Sequence, residues 1–137
     1  VVVRPGHPLL EEPSPSIETL ATLEWIAPRA LAPSRKFFDD FFEESGITTP
    51  TRVIECSSLV ATRGLLLQSD RAALLSPLQV REGVKAGELA VLVDAIPNSG
   101  RSIGLTTRKN WEPTMVQAEF DAIIRKLAEY IGLKEQR

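Results

Sequence analysis

Apolar and polar positions along the chain follow two periods, one typical of strands and one typical of helices. Short apolar or β-branched runs predict strands at residues 1–3, 23–27, 51–56, 72–75, 89–93 and 102–108. Apolar residues at every third or fourth position predict helices at residues 17–22, 34–45, 58–68, 77–86 and 114–131. This alternation predicts an α/β fold in which right-handed crossovers cover both faces of a sheet.

Capping residues stand at the ends of the predicted helices. A hydroxyl side chain precedes each helix and offers an acceptor to its first turn, at Ser16, Ser34, Ser57 or Ser58, Ser76 and Thr114. Thr114 and Gln117 have the spacing of a capping box. Gly46 and Gly87 follow two of the helices, where a left-handed residue typically ends the helix.

The aromatic residues favour a packed core over a ligand-binding box. The predicted helix that starts near Ser34 has one apolar side, which is expected to pack on the sheet. This side consists of Phe37, Phe38, Phe41 and Phe42. Trp25 lies in the preceding strand and is expected to join them. By contrast, the helix at 58–68 is apolar on more than one face. It is therefore a candidate for contact with a second copy of the chain, although complete burial within one copy explains the same pattern.

Two segments between the predicted elements have the composition of connectors. Residues 4–16 contain four prolines, whose missing N–H groups and fixed φ disfavour both helix and strand, so an extended segment is expected. Residues 94–100 end in Pro97-Asn98-Ser99-Gly100 and form the second connector. The two connectors bracket a middle block, which indicates that the chain leaves one lobe, builds a second and returns.

Composition excludes several classes of function. The 137 residues include 16 basic and 18 acidic side chains, so the chain lacks the basic surface of a DNA-binding domain. One cysteine and one histidine provide neither an internal disulfide nor a metal-ligand set, which favours a reducing cytoplasm, no metal and no cofactor. No apolar run is long enough to cross a membrane. Neither a nucleophile–base pair nor a phosphate-binding glycine loop is present, so an enzyme is not expected.

The order of short motifs along the chain resembles the co-inducer-binding domain of LysR-type transcriptional regulators. The motifs that carry the resemblance are Arg4-Pro5-Gly6-His7-Pro8-Leu9-Leu10, Leu23-Glu24-Trp25-Ile26-Ala27-Pro28, Glu55-Cys56-Ser57-Ser58, Gly87-Glu88-Leu89 and Arg101-Ser102-Ile103-Gly104-Leu105-Thr106-Thr107-Arg108. Each motif is short, and the likeness lies in their order and spacing over nearly the whole chain. The chain also opens directly on an apolar strand at residues 1–3, so we expect a piece of a larger protein.

The resemblance implies a type II periplasmic-binding-protein-like fold with two lobes and an effector bound in the cleft between them. Residues 11–99 are then a complete second lobe, and residues 1–10 and 100–137 belong to the first lobe with its connectors. A winged helix-turn-helix domain and a linker helix are expected in the parent protein, outside this chain. Family members of this kind pair as dimers, so a homo-oligomer is expected.

The resemblance also selects candidate effector-binding residues. Relatives use the helix start that corresponds to Pro33, Ser34 and Arg35, although Pro33 has no N–H to donate and Ser34 is also explained as an ordinary cap. The further candidates are Arg29 in the preceding loop, Arg4 after the first strand, and Ser57 and Ser58 at a second helix start. Solvated surface charge and simple capping explain these residues equally well. His7 and Cys56 are expected to be structural.

The expected function is that of a non-catalytic sensor. A small, anionic metabolite binds between the lobes and shifts the arrangement of the parent regulator, which changes how its separate DNA-binding domains meet DNA. The alternative is a solute-binding protein of the same fold that serves transport.

Overall fold

The computed structural model describes residues 1–94, 96 and 104–135, in two compact units that divide between Gly100 and Arg101. The strands of the first unit are β1 (Val2–Val3), β2 (Trp25–Ala27), β3 (Val53–Glu55), β4 (Ala72–Ala73) and β5 (Ala90–Val91). Its α-helices are α1 (Ile17–Ala21), α2 (Pro33–Glu43), α3 (Leu59–Leu67) and α4 (Pro77–Lys85). The second unit contains α5 (Met115–Glu135).

The five strands form one mixed sheet in the order β3-β2-β4-β1-β5. Strand β2 runs parallel to β3 and to β4, with Ile26 opposite Ile54 on one side and Ala73 on the other. Strand β1 lies between β4 and β5 and is antiparallel to both. We call the side on which β2, β3 and β4 end the carboxyl edge. Because helices α2, α3 and α4 directly follow these three strands, all three begin at the carboxyl edge.

Two hydrophobic clusters cover the two faces of the sheet, as the alternation along β2 requires. Trp25 is fully buried on one face against Phe38 and Phe42 of α2, at ring-centroid distances of 5.3 and 5.5 Å in edge-to-face geometry. Ile26 points to the other face, where it packs with Leu66 of α3 and Val80 of α4. The prediction of a packed aromatic core is therefore confirmed for Trp25, Phe38 and Phe42, with Phe41 half-buried against them. Phe37 is half-buried and is part of neither cluster.

The predicted helix boundaries are largely confirmed. Ser16, Ser58 and Ser76 accept hydrogen bonds from the first turns of α1, α3 and α4, and Ser76 forms a capping box with Gln79. Gly46 and Gly87 follow α2 and α4 with φ of 73° and 70°, a backbone region that side chains with a Cβ disfavour. The predicted stops at these two glycines are confirmed.

The first connector is more ordered than its prolines predict. Residues Pro8–Glu11 form a 3₁₀ turn that begins at His7. The imidazole of His7 is buried, with Nδ1 accepting a hydrogen bond from the Leu9 N–H and Nε2 lying 3.2 Å from the Asp70 carbonyl oxygen. Proline suits the first position of such a turn because no N–H is needed there. The structural role predicted for His7 is confirmed.

Strand β1 lies in the same sheet as the strands of the middle block, and the division of the chain into two lobes stays a prediction. The sequence assigned residues 1–10, with residues 100–137, to the first lobe. Val2 pairs with Ala73 and with Val91, so β1 is an internal strand of the same sheet as the middle block. Three valines carry no signal of strand order, because the partners of β1 are about 70 and 90 residues away along the chain.

The described part of the second unit starts at Gly104, has neither helix nor strand up to Thr114, and continues as α5. Residues 104–108 form no strand, in contrast to the strand predicted at 102–108, while residues 101–103 and most of the connector at 94–100 lie outside the described residues. The predicted Thr114–Gln117 capping box is present, and so is the Asp121–Arg125 ion pair at 2.7 Å. The apolar stripe is largely exposed, with Val116, Phe120, Ile123 and Leu127 each more than half accessible to solvent. The fifth predicted member, Ile131, has no described side chain.

Candidate functional site

The carboxyl edge collects the positive ends of three helix dipoles. The first four N–H groups of a helix have no partner within the helix, and the dipole adds roughly half a positive charge at that end. In helix α3 the Ser58 hydroxyl accepts a hydrogen bond from one of these N–H groups, and in helix α4 the Ser76 capping box does the same. Whether each start retains free N–H donors therefore depends on its cap.

Helix α2 differs from α3 and α4 because it has no side-chain cap. Its N-cap residue is Ala32, Pro33 occupies the first helical position and Ser34 the second. The prediction that Ser34 is the N-cap is therefore wrong. The fixed φ of Pro33 suits the first helical turn, so the helix begins before Ser34. The result is a helix start where an external anion can accept hydrogen bonds.

Arg29 lies in the loop that leads from β2 to α2. A turn closed by the bond from the Ala32 N–H to the Arg29 carbonyl, 2.9 Å, holds this loop beside the start of the helix. Arg29 is exposed, and within the described ranges its guanidinium has no hydrogen bond or ion pair. The adjacent Leu31 is 99% exposed and offers an apolar surface next to this cation.

The other cations of the first turn of α2 are occupied. The Lys36 ammonium lies 2.5 and 2.8 Å from the two carboxylate oxygens of Asp40, and this contact raises the pKa of Lys36. Arg35 forms ion pairs with Asp39 at 2.9 Å and with Glu55 at 3.3 Å. Arg29 is therefore the cation of this region that remains available to a ligand.

The start of α3 lies at the same edge and is already capped. The Ser58 hydroxyl accepts a hydrogen bond from the Ala61 N–H at 3.4 Å, while Ser57 is exposed. Cys56 is half-buried, packs against the cluster around Ile26, and has its Sγ 3.5 Å from the Ser58 carbonyl oxygen. The Ser58 hydroxyl thus caps α3, whereas the Ser57 hydroxyl does not.

Arg4 lies at the opposite edge of the sheet. Because β1 is antiparallel to β4, the residue after β1 is next to the beginning of β4 and not its end. The Arg4 guanidinium bonds the Asp70 carboxylate, with Nη2 and Oδ1 2.6 Å apart. The structure thus brings Arg29, Pro33, Ser34, Arg35, Ser57 and Ser58 to the carboxyl edge and leaves Arg4 away from them.

An open groove of about 520 Å³ lies where β5 ends, and is lined by residues 13–15 and 91–94. Its lining includes Asp94 and no basic side chain, so it is less suited to an anion than the start of α2. Within the ranges that the structure describes, no group of three or more His, Cys, Asp or Glu side chains is arranged to hold a metal ion. None of the described helices is long and apolar enough to cross a membrane.

The fold and this edge define the class of the protein. The family model of the LysR substrate binding domain matches residues 1–128. The chain therefore belongs to the LysR substrate-binding domain family, whose fold is of the type II periplasmic-binding-protein kind. This confirms the fold class and family that the motif order predicted.

Two curated relatives show the context in which this domain occurs. The chain is 35% identical over 127 residues to the HTH-type transcriptional regulator GalR of Pseudomonas putida, a match that covers 93% of this chain and 32% of that protein. It is 30% identical over 111 residues to the uncharacterized HTH-type transcriptional regulator YdcI of Escherichia coli, covering 79% of this chain and 35% of that protein. The chain thus spans about a third of the length of these relatives. No solved structure gives a significant match.

Proposed function

We propose that this chain is the effector-binding domain of a LysR-type transcriptional regulator and that it binds a small anionic metabolite at the carboxyl edge. The observation that supports the proposal most is the start of α2, which has no side-chain cap and lies beside the unpaired Arg29. Helix N–H groups and a guanidinium together suit a carboxylate. Ser34 supplies a backbone N–H and a hydroxyl, and Ser57 a second hydroxyl at the same edge.

The proposed mechanism is a change of population between two states of the parent regulator. The effector binds between the two lobes of the domain, and the closed arrangement is favoured because only it offers contacts from both lobes. DNA is bound by a winged helix-turn-helix domain elsewhere in the parent. In this proposal the domain is cytoplasmic, performs no catalysis and needs no cofactor.

The alternative is a solute-binding protein that delivers its ligand to a membrane carrier. Both relatives are named as HTH-type transcriptional regulators, which favours regulation over transport. The family match supports the same choice.

Thermal unfolding of the intact parent protein tests for an anionic ligand. We expect at least one of acetate, succinate, citrate and benzoate to raise the Tm. At a ligand concentration 100 times its Kd, binding raises the free energy of unfolding by about 2.7 kcal/mol. The matched control is the corresponding neutral amide, which lacks the charge that the helix start and Arg29 recognise. Equal stabilisation by acid and amide, or by neither, contradicts the proposal.

We also propose that α3 and the edge strand β3 form the contact between two copies of the chain. Val60 is 82% exposed on the outer face of α3, and Leu59 and Ile54 are each more than a third exposed nearby in sequence. Among the described residues β3 pairs with β2 alone, so its other side has no strand partner there. These features suit a self-complementary interface.

A charged residue at Val60 tests this interface. Val60→Asp is expected to convert the intact parent from dimer to monomer at micromolar concentration, because a carboxylate buried without a partner costs several kcal/mol. Sedimentation velocity measures the outcome. The control is Leu78→Asp on α4, which is also exposed and is expected to leave the dimer intact. An unchanged dimer in Val60→Asp contradicts the assignment.

A further inference from the structure

The Arg35 side chain joins three segments of the carboxyl edge. Its Nε donates to Asp39 Oδ1 at 2.9 Å, and its Nη1 lies 3.3 Å from both the Pro28 carbonyl oxygen and Glu55 Oε1. Its guanidinium carbon lies 5.5 Å from the centre of the Phe38 ring. Only 16% of this side chain is exposed, although it carries a full charge.

Each contact fixes a different part of the site. Pro28 begins the loop that carries Arg29, and Glu55 is the last residue of β3, directly before Cys56 and Ser57. Asp39 lies one turn further along α2 and orients the guanidinium from within its own helix. A planar group with several donors is suited to hold such separate acceptors at once, which a lysine ammonium on a flexible chain does less well.

The charges around Arg35 argue against direct contact with an anionic effector. Two carboxylates already lie within hydrogen-bond distance of its guanidinium, so the cluster has no positive charge to spare. An effector carboxylate would have to displace Glu55 and leave that acid without its partner. Arg29 needs no such exchange because its guanidinium has no partner within the described residues.

We infer that Arg35 is a positioning residue, which sets the loop at 28–32 and the start of α2 in the arrangement that receives the effector. This inference rests on the proposed function for its purpose, but the rigidity of the loop is measurable without any ligand. Arg35 thereby acts through Arg29 and Ser34. This positioning role takes the place of the expectation that Arg35 itself binds the effector.

Hydrogen exchange of the intact parent protein, without ligand, tests the inference. Arg35→Met keeps the length of the side chain and removes its donors, so backbone amides at 29–35 are expected to exchange about tenfold faster or more. Glu55→Gln weakens only the link to β3 and is expected to give a smaller increase in the same segment. The control is Arg63→Met, which removes the ion pair of Arg63 with Glu88 on the surface and is expected to leave the loop unchanged.

The outcomes separate positioning from other roles. Faster exchange confined to the loop in both Arg35→Met and Glu55→Gln supports positioning. Unchanged exchange in the loop overturns the positioning role. An increase spread evenly over the molecule in both variants also overturns it, because such an increase indicates a general contribution to stability. In a second arm, acetate, succinate, citrate and benzoate are titrated against wild type and Glu55→Gln. If none binds wild type, the proposed function fails while the exchange data still decide the role of Arg35.

Discussion

Arg29→Ala in the intact regulator is expected to shift the transcriptional response to much higher effector concentrations. The variant removes the unpaired cation beside the start of α2 and with it a charge-assisted hydrogen bond of about 1.5–3 kcal/mol, which corresponds to roughly ten- to hundredfold weaker binding. Ser34→Ala removes the neighbouring hydroxyl but retains the backbone N–H, so a smaller loss is expected. Reporter transcription across a range of effector concentrations measures both effects.

The control for this prediction separates effector binding from DNA binding. Arg81→Ala removes another exposed arginine, located on α4, and is expected to leave the response at the wild-type level. Operator affinity of Arg29→Ala, measured without effector, is expected to match wild type because the proposed DNA-binding domain is separate from this chain. A response at wild-type effector concentrations in both Arg29→Ala and Ser34→Ala removes these two residues from the effector site.

Trp25→Ala is expected to destabilise the domain by about 3–5 kcal/mol, a large share of the 5–15 kcal/mol that typically separates folded from unfolded domains. Trp25 is fully buried, contacts two phenylalanine rings, and donates a hydrogen bond from its indole to the Leu20 carbonyl at 3.0 Å. Its removal leaves a cavity between the sheet and α2 and deletes one of the hydrogen bonds that the Leu20 carbonyl accepts. Chemical denaturation followed by circular dichroism measures the change in the free energy of unfolding.

The second tryptophan provides the matched control. Trp111 lies in the second unit and is 38% exposed, so Trp111→Ala is expected to cost much less than Trp25→Ala. Equal losses for the two variants would show that Trp25 is not the centre of the core.

Local signals in the sequence predicted much of the fold. The spacing of Phe38 and Phe42, the cap at Ser76 and the stop at Gly87 act within one or two helical turns, and the structure confirms them. Such features are readable because the interacting groups are neighbours along the chain. The family itself was also predictable from motif order, since the match covers residues 1–128.

Features that depend on distant residues could not be predicted in this way. The position of β1 between β4 and β5 decides which edge Arg4 occupies, and no local pattern encodes it.

The shift of the α2 start to Ala32 has a local signal, the proline at position 33, which favours the first helical turn.

The contacts of Arg35 at the candidate site show the same difference between local and distant partners. The i,i+4 spacing of Arg35 and Asp39 indicates one partner of Arg35 from sequence alone. Its contact with Glu55, 20 residues away, requires the parallel pairing of β2 and β3, and so does its placement beside Pro28. The family resemblance made Arg35 a ligand candidate, whereas its contacts in the structure support the positioning role that we infer.

The position of a bound carboxylate decides whether the start of α2 is the effector site. The measurement is a crystal structure of the intact parent with the carboxylate that gives the largest Tm increase. Its oxygens are expected to accept hydrogen bonds from the Ser34 N–H and the Arg29 guanidinium, at about 2.7–3.2 Å as is usual for N–H donors. A carboxylate bound beside Arg4, or anywhere else away from the start of α2, would rule out this site.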